Sequence, residues 1–322
     1  MKKILTTLLF AVMIALPVTA TAADEKQQNV RVIMPTGVPA ISMAEMVQGK
    51  GVHVPGYKVN YQVLESPDML AGKLISGEAE LAVVPTNLAI KLYNKGVKVK
   101  YGSGVVWGIL YVISQEKTNN WQALKGKEIY TLGRGLTPDI VLRYLLTKNG
   151  LTPDKDVSIH YANSTTELAP AFLVGKSRFS LIPEPALSMV MKKKPATNIM
   201  FDLQKEWAKA TGISTGYPQA SLIMIGDFAD KHPDFIRKFM EAYKESIKKV
   251  NADPARAGKM AATYLKTPKA PVIAHAIPRS NLKWVSASEA RKPLETYFKV
   301  LRDFNPAVIG GKMPDDAFYY VP

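Results

Sequence analysis

Apolar residues recur along this chain in two alternating patterns, short extended runs and amphipathic stretches of helical period. Residues 29–37 (NVRVIMPTG) read as a strand entering a turn, and 41–47 (ISMAEMV) open a helix. Val59, Tyr61 and Val63 alternate with polar positions, which predicts a strand, and Leu70, Leu74 and Ile75 share one face of a helix. A short buried strand (AELAVVPTN) and a helix closed by Gly96 follow. The next run, KYGSGVVWGILYVISQ, is too long for one ordinary strand and reads as a crossing from one lobe into another.

The series then begins again. LKGKEIYTLG predicts a strand; TPDIVLRYLLTKNG predicts a helix with Thr137 as N-cap, Pro138 at its first position and Gly150 at its end. VSIHYANS and RFSLIPEP read as strands, TTELAPAFLVG and ALSMVMKKK as the helices after them. GYPQASLIMIGDF is a second extended crossing. Beyond it Ile236, Phe239, Met240, Tyr243, Ile247 and Val250 line one face of a long helix, expected to pack back on the first lobe. ADPARAGKMAATYL and SASEARKPLETYFKVLRDF predict further helices. In the latter Ser286 and Glu289 form a capping-box pattern and Pro293 should disturb the helix. The tail, GGKMPDDAFYYVP, reads as loop.

The two series match. Asn60–Asn87 aligns with Ser158–Pro185 without a gap at an offset of 98, with identities at Ser66/Ser164, Leu70/Leu168, Ala71/Ala169, Gly77/Gly175 and Pro85/Pro183. The same offset lays Thr36-Gly37 on Arg134-Gly135. The pattern implies an α/β chain of two similar lobes with a cleft between them. Each lobe is expected to hold a mostly parallel sheet flanked by helices. The first is discontinuous (23–113 with 222–322), the second is 114–221, and the two crossover strands act as hinge.

Composition narrows the setting. Lys2 and Lys3 precede an apolar run from Ile4 to Val18 and a small-residue site, Ala20-Thr21-Ala22, the pattern of a cleavable export signal over 1–22. The chain has no cysteine, so disulfides and a cysteine-linked lipid anchor are excluded. Export without an anchor points to the periplasm. Without the leader, 40 basic residues face 27 acidic ones. They are scattered, which argues against nucleic acid and for steering of an anionic solute.

Ligands of open α/β sheets bind beyond the carboxyl ends of strands. Those positions carry Thr36, Gly37, Ser66, Thr86 and Asn87 in the first lobe, and Arg134, Gly135, Asn163, Ser164 and Glu184 in the second. Hydroxyls, amides, one guanidinium and one carboxylate make a recognition set rather than a catalytic one. Each has a structural alternative: helix caps for the hydroxyls, turn glycines, an interlobe ion pair for Arg134, a cap on the next helix for Glu184. Trp107 and Tyr217 lie near the crossings, where they either stack on a flat ligand or fill the hinge. His53, His160, His232 and His275 show no metal-ligand spacing, and neither a GxSxG elbow nor a phosphate loop is present. No catalytic residue, metal or cofactor is expected.

GEAELAVVPTN, LKGKEI leading into the GRG loop, HPDFIRKF followed by ADPARAG, and the GGKMPDDAFY tail together resemble a periplasmic solute-binding protein of an ABC importer, in the SsuA/THI5/NMT1-like branch. That resemblance implies a type II two-lobed binding protein, monomeric, that closes on a sulfonate-, nitrate- or pyrimidine/thiamine-precursor-like solute and docks on a membrane permease. Thr36, Ser66, Thr86, Arg134, Asn163 and Glu184 fall where its members place ligand contacts, by loop position. A receptor serving a sensor without transport is the alternative. The branch's pyrimidine synthases rely on a cysteine-rich motif that this chain lacks.

Overall fold

The computed structural model describes residues 27–49 and 51–322; the expected export signal, 1–22, lies outside the described residues. The first lobe opens with β1 (Gln28–Pro35), the short helices α1 (Val38–Ser42) and α2 (Ala44–Gln48), and β2 (Tyr57–Leu64). It continues through α3 (Pro67–Ile75), β3 (Leu81–Pro85), α4 (Thr86–Asn94) and β4 (Val99–Val106). The second lobe runs β5 (Leu110–Ser114), β6 (Lys127–Leu132), α5 (Thr137–Lys148), β7 (Val157–Ala162), α6 (Thr165–Leu173), β8 (Phe179–Pro183), α7 (Ala186–Lys193), β9 (Asn198–Asp202) and α8 (Leu203–Thr211). The chain then returns to the first lobe with β10 (Ala220–Ile225), α9 (Gly226–Lys231), α10 (Pro233–Ala252), α11 (Pro254–Ala261), α12 (Ala270–Ala276), β11 (Leu282–Ser286) and α13 (Ala287–Phe304).

The sheets are ordered β11-β4-β10-β3-β1-β2 and β7-β6-β8-β5-β9. Leaving out the edge strand β11, the two orders correspond strand for strand, and the offset of 98 carries α3 onto α6 and β3 onto β8 end to end. Both sheets are mixed. β1 pairs parallel with β2 and β3, and β6 with β7 and β8, but β10 is antiparallel to β3 and β5 antiparallel to β8. The reason is the exchange itself. Each lobe inserts one strand that arrives from the other lobe, and that strand enters at the carboxyl edge of its new neighbours.

The long run read as one crossing breaks at Trp107-Gly108-Ile109, so Leu110–Ile113, expected in the first lobe, belong to the second sheet, while Ala220 and Ser221 belong to the first. Gly108 has φ +87, and a Cβ there would lie 2.3 Å from Gln204 Cγ, so the link requires glycine. β9, α8, α12 and β11 were unforeseen; β3 and β8, also five residues long, were legible because they are nearly continuous apolar runs, whereas β9 and β11 mix polar and apolar positions.

α10 packs on the first lobe with Phe235, Ile236, Phe239, Tyr243, Ile247 and Val250 buried. The Ser286/Glu289 capping box forms as expected. Pro293 does not break α13: it lies on the buried face with Leu294, Tyr297, Phe298 and Leu301, whose burial offsets the missing backbone N–H. The N-cap of α5 is Leu136, not Thr137, whose hydroxyl instead meets Tyr297 OH at 2.7 Å. The tail is irregular yet anchored: Phe318 is buried and Tyr320 N donates to the Tyr101 carbonyl at 2.9 Å. One apolar core crosses between the lobes, joining Tyr101 and Trp107 to Trp207, Tyr217 and Tyr297.

Candidate functional site

The strand directions place the site. Val106, the last residue of β4, and Pro85, the last of β3, both pair with Ala220. Leu110, the first residue of β5, pairs with Pro183, the last of β8. The three-residue link 107–109 therefore joins the carboxyl edge of one sheet to the carboxyl edge of the other. Four Cα–Cα steps span at most about 14 Å, so the edges meet at the hinge and open away from it. Counting outward from the inserted strands, β3, β1 and β2 hold in one sheet the places that β8, β6 and β7 hold in the other. The residues after those strands are the ones related by the offset of 98: Thr86 and Glu184, Thr36 and Arg134, Ser66 and Ser164.

Nearest the hinge, Thr86 and Glu184 are consumed by packing. Thr86 is fully buried, its Oγ1 2.7 Å from Ser221 Oγ. Glu184 is 2% exposed. Its Oε1 accepts from Arg279 Nε at 2.6 Å and Ser188 Oγ at 3.0 Å, and its Oε2 from Ser188 N at 3.0 Å. Burial pushes the Glu184 carboxyl above its ordinary range, and the Arg279 charge opposes that rise. Arg279 belongs to the returning segment ahead of β11, so this pair ties the lobes together. Trp107 and Tyr217 are covered by protein as well. Trp107 Nε1 donates to the Lys283 carbonyl at 3.1 Å; Tyr217 donates to Gln204 Oε1 at 2.8 Å and stacks on Tyr297, 6.2 Å between ring centroids. Both fill the hinge.

Farther out the candidates stay open. Thr36, Arg134, Asn163 and Ser164 are exposed, and Gly37, Ser66 and Gly135 half-buried; Asn87, beside Thr86 at the hinge end, is half-buried as well. The Arg134 guanidinium lies over the Tyr161 ring, 4.9 Å from its centroid. That ring is itself held: Tyr161 OH donates to Asp139 Oδ1 at 2.8 Å and accepts from Arg143 Nη2 at 2.9 Å. Asp139 Oδ2 also accepts from Gly135 N at 2.8 Å, which fixes the loop carrying Arg134. Gly37 (φ +91) and Gly135 (φ +70) have no heavy atom within 4 Å of a notional Cβ, leaving their backbone open to a ligand. Ser66 Oγ caps α3 by accepting from Met69 N at 3.3 Å, and Asn163 Nδ2 donates to Glu167 Oε2 at 3.1 Å.

Sequence reasoning missed Arg279, Gln204, Ser221 and Asn281. Gln204 Oε1 accepts from Leu110 N at 3.1 Å, and Asn281 Nδ2 donates to the Gly108 carbonyl at 3.0 Å. These residues build the hinge, and their partners lie 94 and 173 positions away, so no local pattern marks them. Among the described residues no group of three His, Asp or Glu is placed to hold a metal, and no helix is long and apolar enough to cross a membrane.

The family model described as NMT1/THI5 like matches residues 55–257. Among solved structures the chain is similar to an ABC transporter protein from Parabacteroides distasonis, 26% identical with a TM-score of 0.80 over 91% of this chain and 98% of that one. It is similar in fold to the periplasmic aliphatic sulphonate binding protein SsuA from Escherichia coli, at 18% identity and a TM-score of 0.67 over 86% of each chain. The same holds for the periplasmic nitrate-binding protein NrtA from Synechocystis PCC 6803, at 12% identity and 0.65 over 87% of this chain and 82% of that one. A curated relative, "Putative binding protein YtlA" of Bacillus subtilis (strain 168), is 24% identical over 143 residues, 43% of each chain, so the match spans less than half of that relative's length.

Proposed function

The chain belongs to the NMT1/THI5-like family, and from that premise we propose that it is the extracytoplasmic solute receptor of an ABC importer, closing two lobes on a small polar or anionic nutrient. What supports the reading is the joining of the two carboxyl edges at the hinge, with Thr36, Arg134, Asn163 and Ser164, which follow those edges, exposed. The bodies that move are 27–106 with 220–322, and 110–211. The links 107–109 and 212–219 bend. Arg134, held over Tyr161, is the fork that a sulfonate, nitrate or carboxylate would engage. The names of the SsuA and NrtA neighbours direct the first assays to sulfonates and nitrate. The receptor works as a monomer in the periplasm, delivers its solute to a membrane permease and catalyses nothing.

A native-selective ligand at a hundred times its Kd stabilises by about 2.7 kcal/mol, several degrees in melting temperature for a protein of this size. The test is a melting panel of sulfonates, nitrate, pyrimidines, thiamine precursors and flavins, with Arg134→Ala beside the unaltered protein. One class should raise the melting point, and the variant should lose that rise. No shift with any class rejects these nutrients. A shift that survives Arg134→Ala removes that residue from the site.

A further inference from the structure

A second concavity, of about 590 Å³, lies on the flank of the molecule where α6 and α7 of one lobe meet residues 267–272 of the other. Ala169, Pro170 and Leu173 of α6 face Met189 and Val190 of α7, and Val272 of α12 closes the far wall. On α6 these positions follow helical spacing: Ala169 is buried, Leu173 half-buried and Pro170 exposed, so the groove has a buried apolar floor, with Val190 and Val272, and a rim that reaches solvent. Its polar lining is one-sided. Thr165 and Thr166 stand at the end next to the interlobe cleft; Lys192 and Lys193, at the last turn of α7, and Lys269, from the other lobe, stand around the rim. No carboxylate lines it. The volume falls in the range of small-molecule sites. Across the eight residues of α7, at about 1.5 Å each, the lysine end is roughly 10 Å from the cleft edge.

We propose that this groove binds an anionic amphiphile, an alkyl or aryl chain bearing one carboxylate or sulfonate. The chain lies along α6 and the acid group rests among Lys192, Lys193 and Lys269. Apolar walls with positive charge at one end select that shape and sign; an uncharged chain lacks the ionic contact and a cationic one meets repulsion. Because the walls come from both lobes, the occupant has different contacts at different lobe angles. By linkage it shifts the open–closed balance, and a solute in the cleft shifts its affinity in return. Binding in the groove is independent of the importer reading; its coupling to lobe closure rests on that reading.

Isothermal titration of the whole protein with decanoate, decanol and decyltrimethylammonium tests it. Decanoate should bind at least roughly tenfold tighter than the cation of equal chain length. Lys192→Glu with Lys193→Glu, both surface changes, should weaken decanoate by roughly tenfold or more. Leu173→Glu, which puts an acid among the apolar walls, should do the same. Arg134→Ala, in the cleft, should leave decanoate binding unchanged. Equal binding of the cation, indifference to the lysine reversals, or loss of binding with Arg134→Ala each overturns the assignment, the last by making the groove an arm of the cleft.

Discussion

Arg279→Met tests whether the lobes are tied by the buried pair at the hinge. The Glu184 side chain is 0% exposed and that of Arg279 22%. Removing the guanidinium deletes a 2.6 Å ionic hydrogen bond and leaves the carboxylate with only the two donors of Ser188. Breaking a buried pair at one partner costs about 3–5 kcal/mol; because Arg279 reaches partway to water, the lower end, about 3 kcal/mol, is expected. The cost depends on pH with a definite sign. Burial already raises the Glu184 carboxyl above its ordinary value near 4.5, and Arg279 is the main influence holding it down. Without Arg279 it rises further, so the folded variant binds a proton more tightly than the unfolded chain does. The deficit is then full only at pH above the variant's raised value and shrinks as pH falls through it toward the ordinary one. Urea unfolding followed by tryptophan fluorescence, at pH 7 and about pH 4.5, measures it for variant and parent. Glu184→Met combined with Arg279→Met should recover much of the loss, since an apolar pair leaves no unpaired charge. A neutral-pH deficit under about 1 kcal/mol, or the same deficit at both pH values, would refute the reasoning.

Two further outcomes are expected. Thr137→Val and Tyr297→Phe each break the 2.7 Å hydroxyl contact between α5 and α13, at about 1 kcal/mol apiece, and a double-mutant cycle should return a coupling of about 0.5–1.5 kcal/mol; zero coupling denies the bond. Gly108→Ala places a Cβ 2.3 Å from Gln204 Cγ at a φ of +87, so the melting temperature should fall by more than that of a Gly126→Ala control, whose φ is +71 with nothing within 4 Å. Equal losses would show that the hinge tolerates the side chain.

Much of the architecture was legible in the chain. The order of strands and helices follows from local periodicity, and the repeat shows in the gapless offset because α3/α6 and β3/β8 have kept the same length. The amphipathic face of α10 declared its packing for the same local reason. What escaped included β9 and β11, which mix polar and apolar positions over five residues each, the direction of β5 and β10, which depends on the edge at which they enter, and the nine-residue α8.

The site divided along a similar line. Which residues follow the strand ends is a matter of chain order, and on that basis ten positions were equal candidates. Only the packed molecule separates them. Distance from the hinge decides, because the two sheet edges meet there and part beyond it. Thr86 and Glu184 lie where they meet, and are claimed by Ser221 and Arg279, 135 and 95 residues away. Thr36 and Arg134, farther from the hinge, remain exposed. Periodicity reports the neighbours a residue has along the chain; whether a polar group is free or spent depends on neighbours that only folding brings.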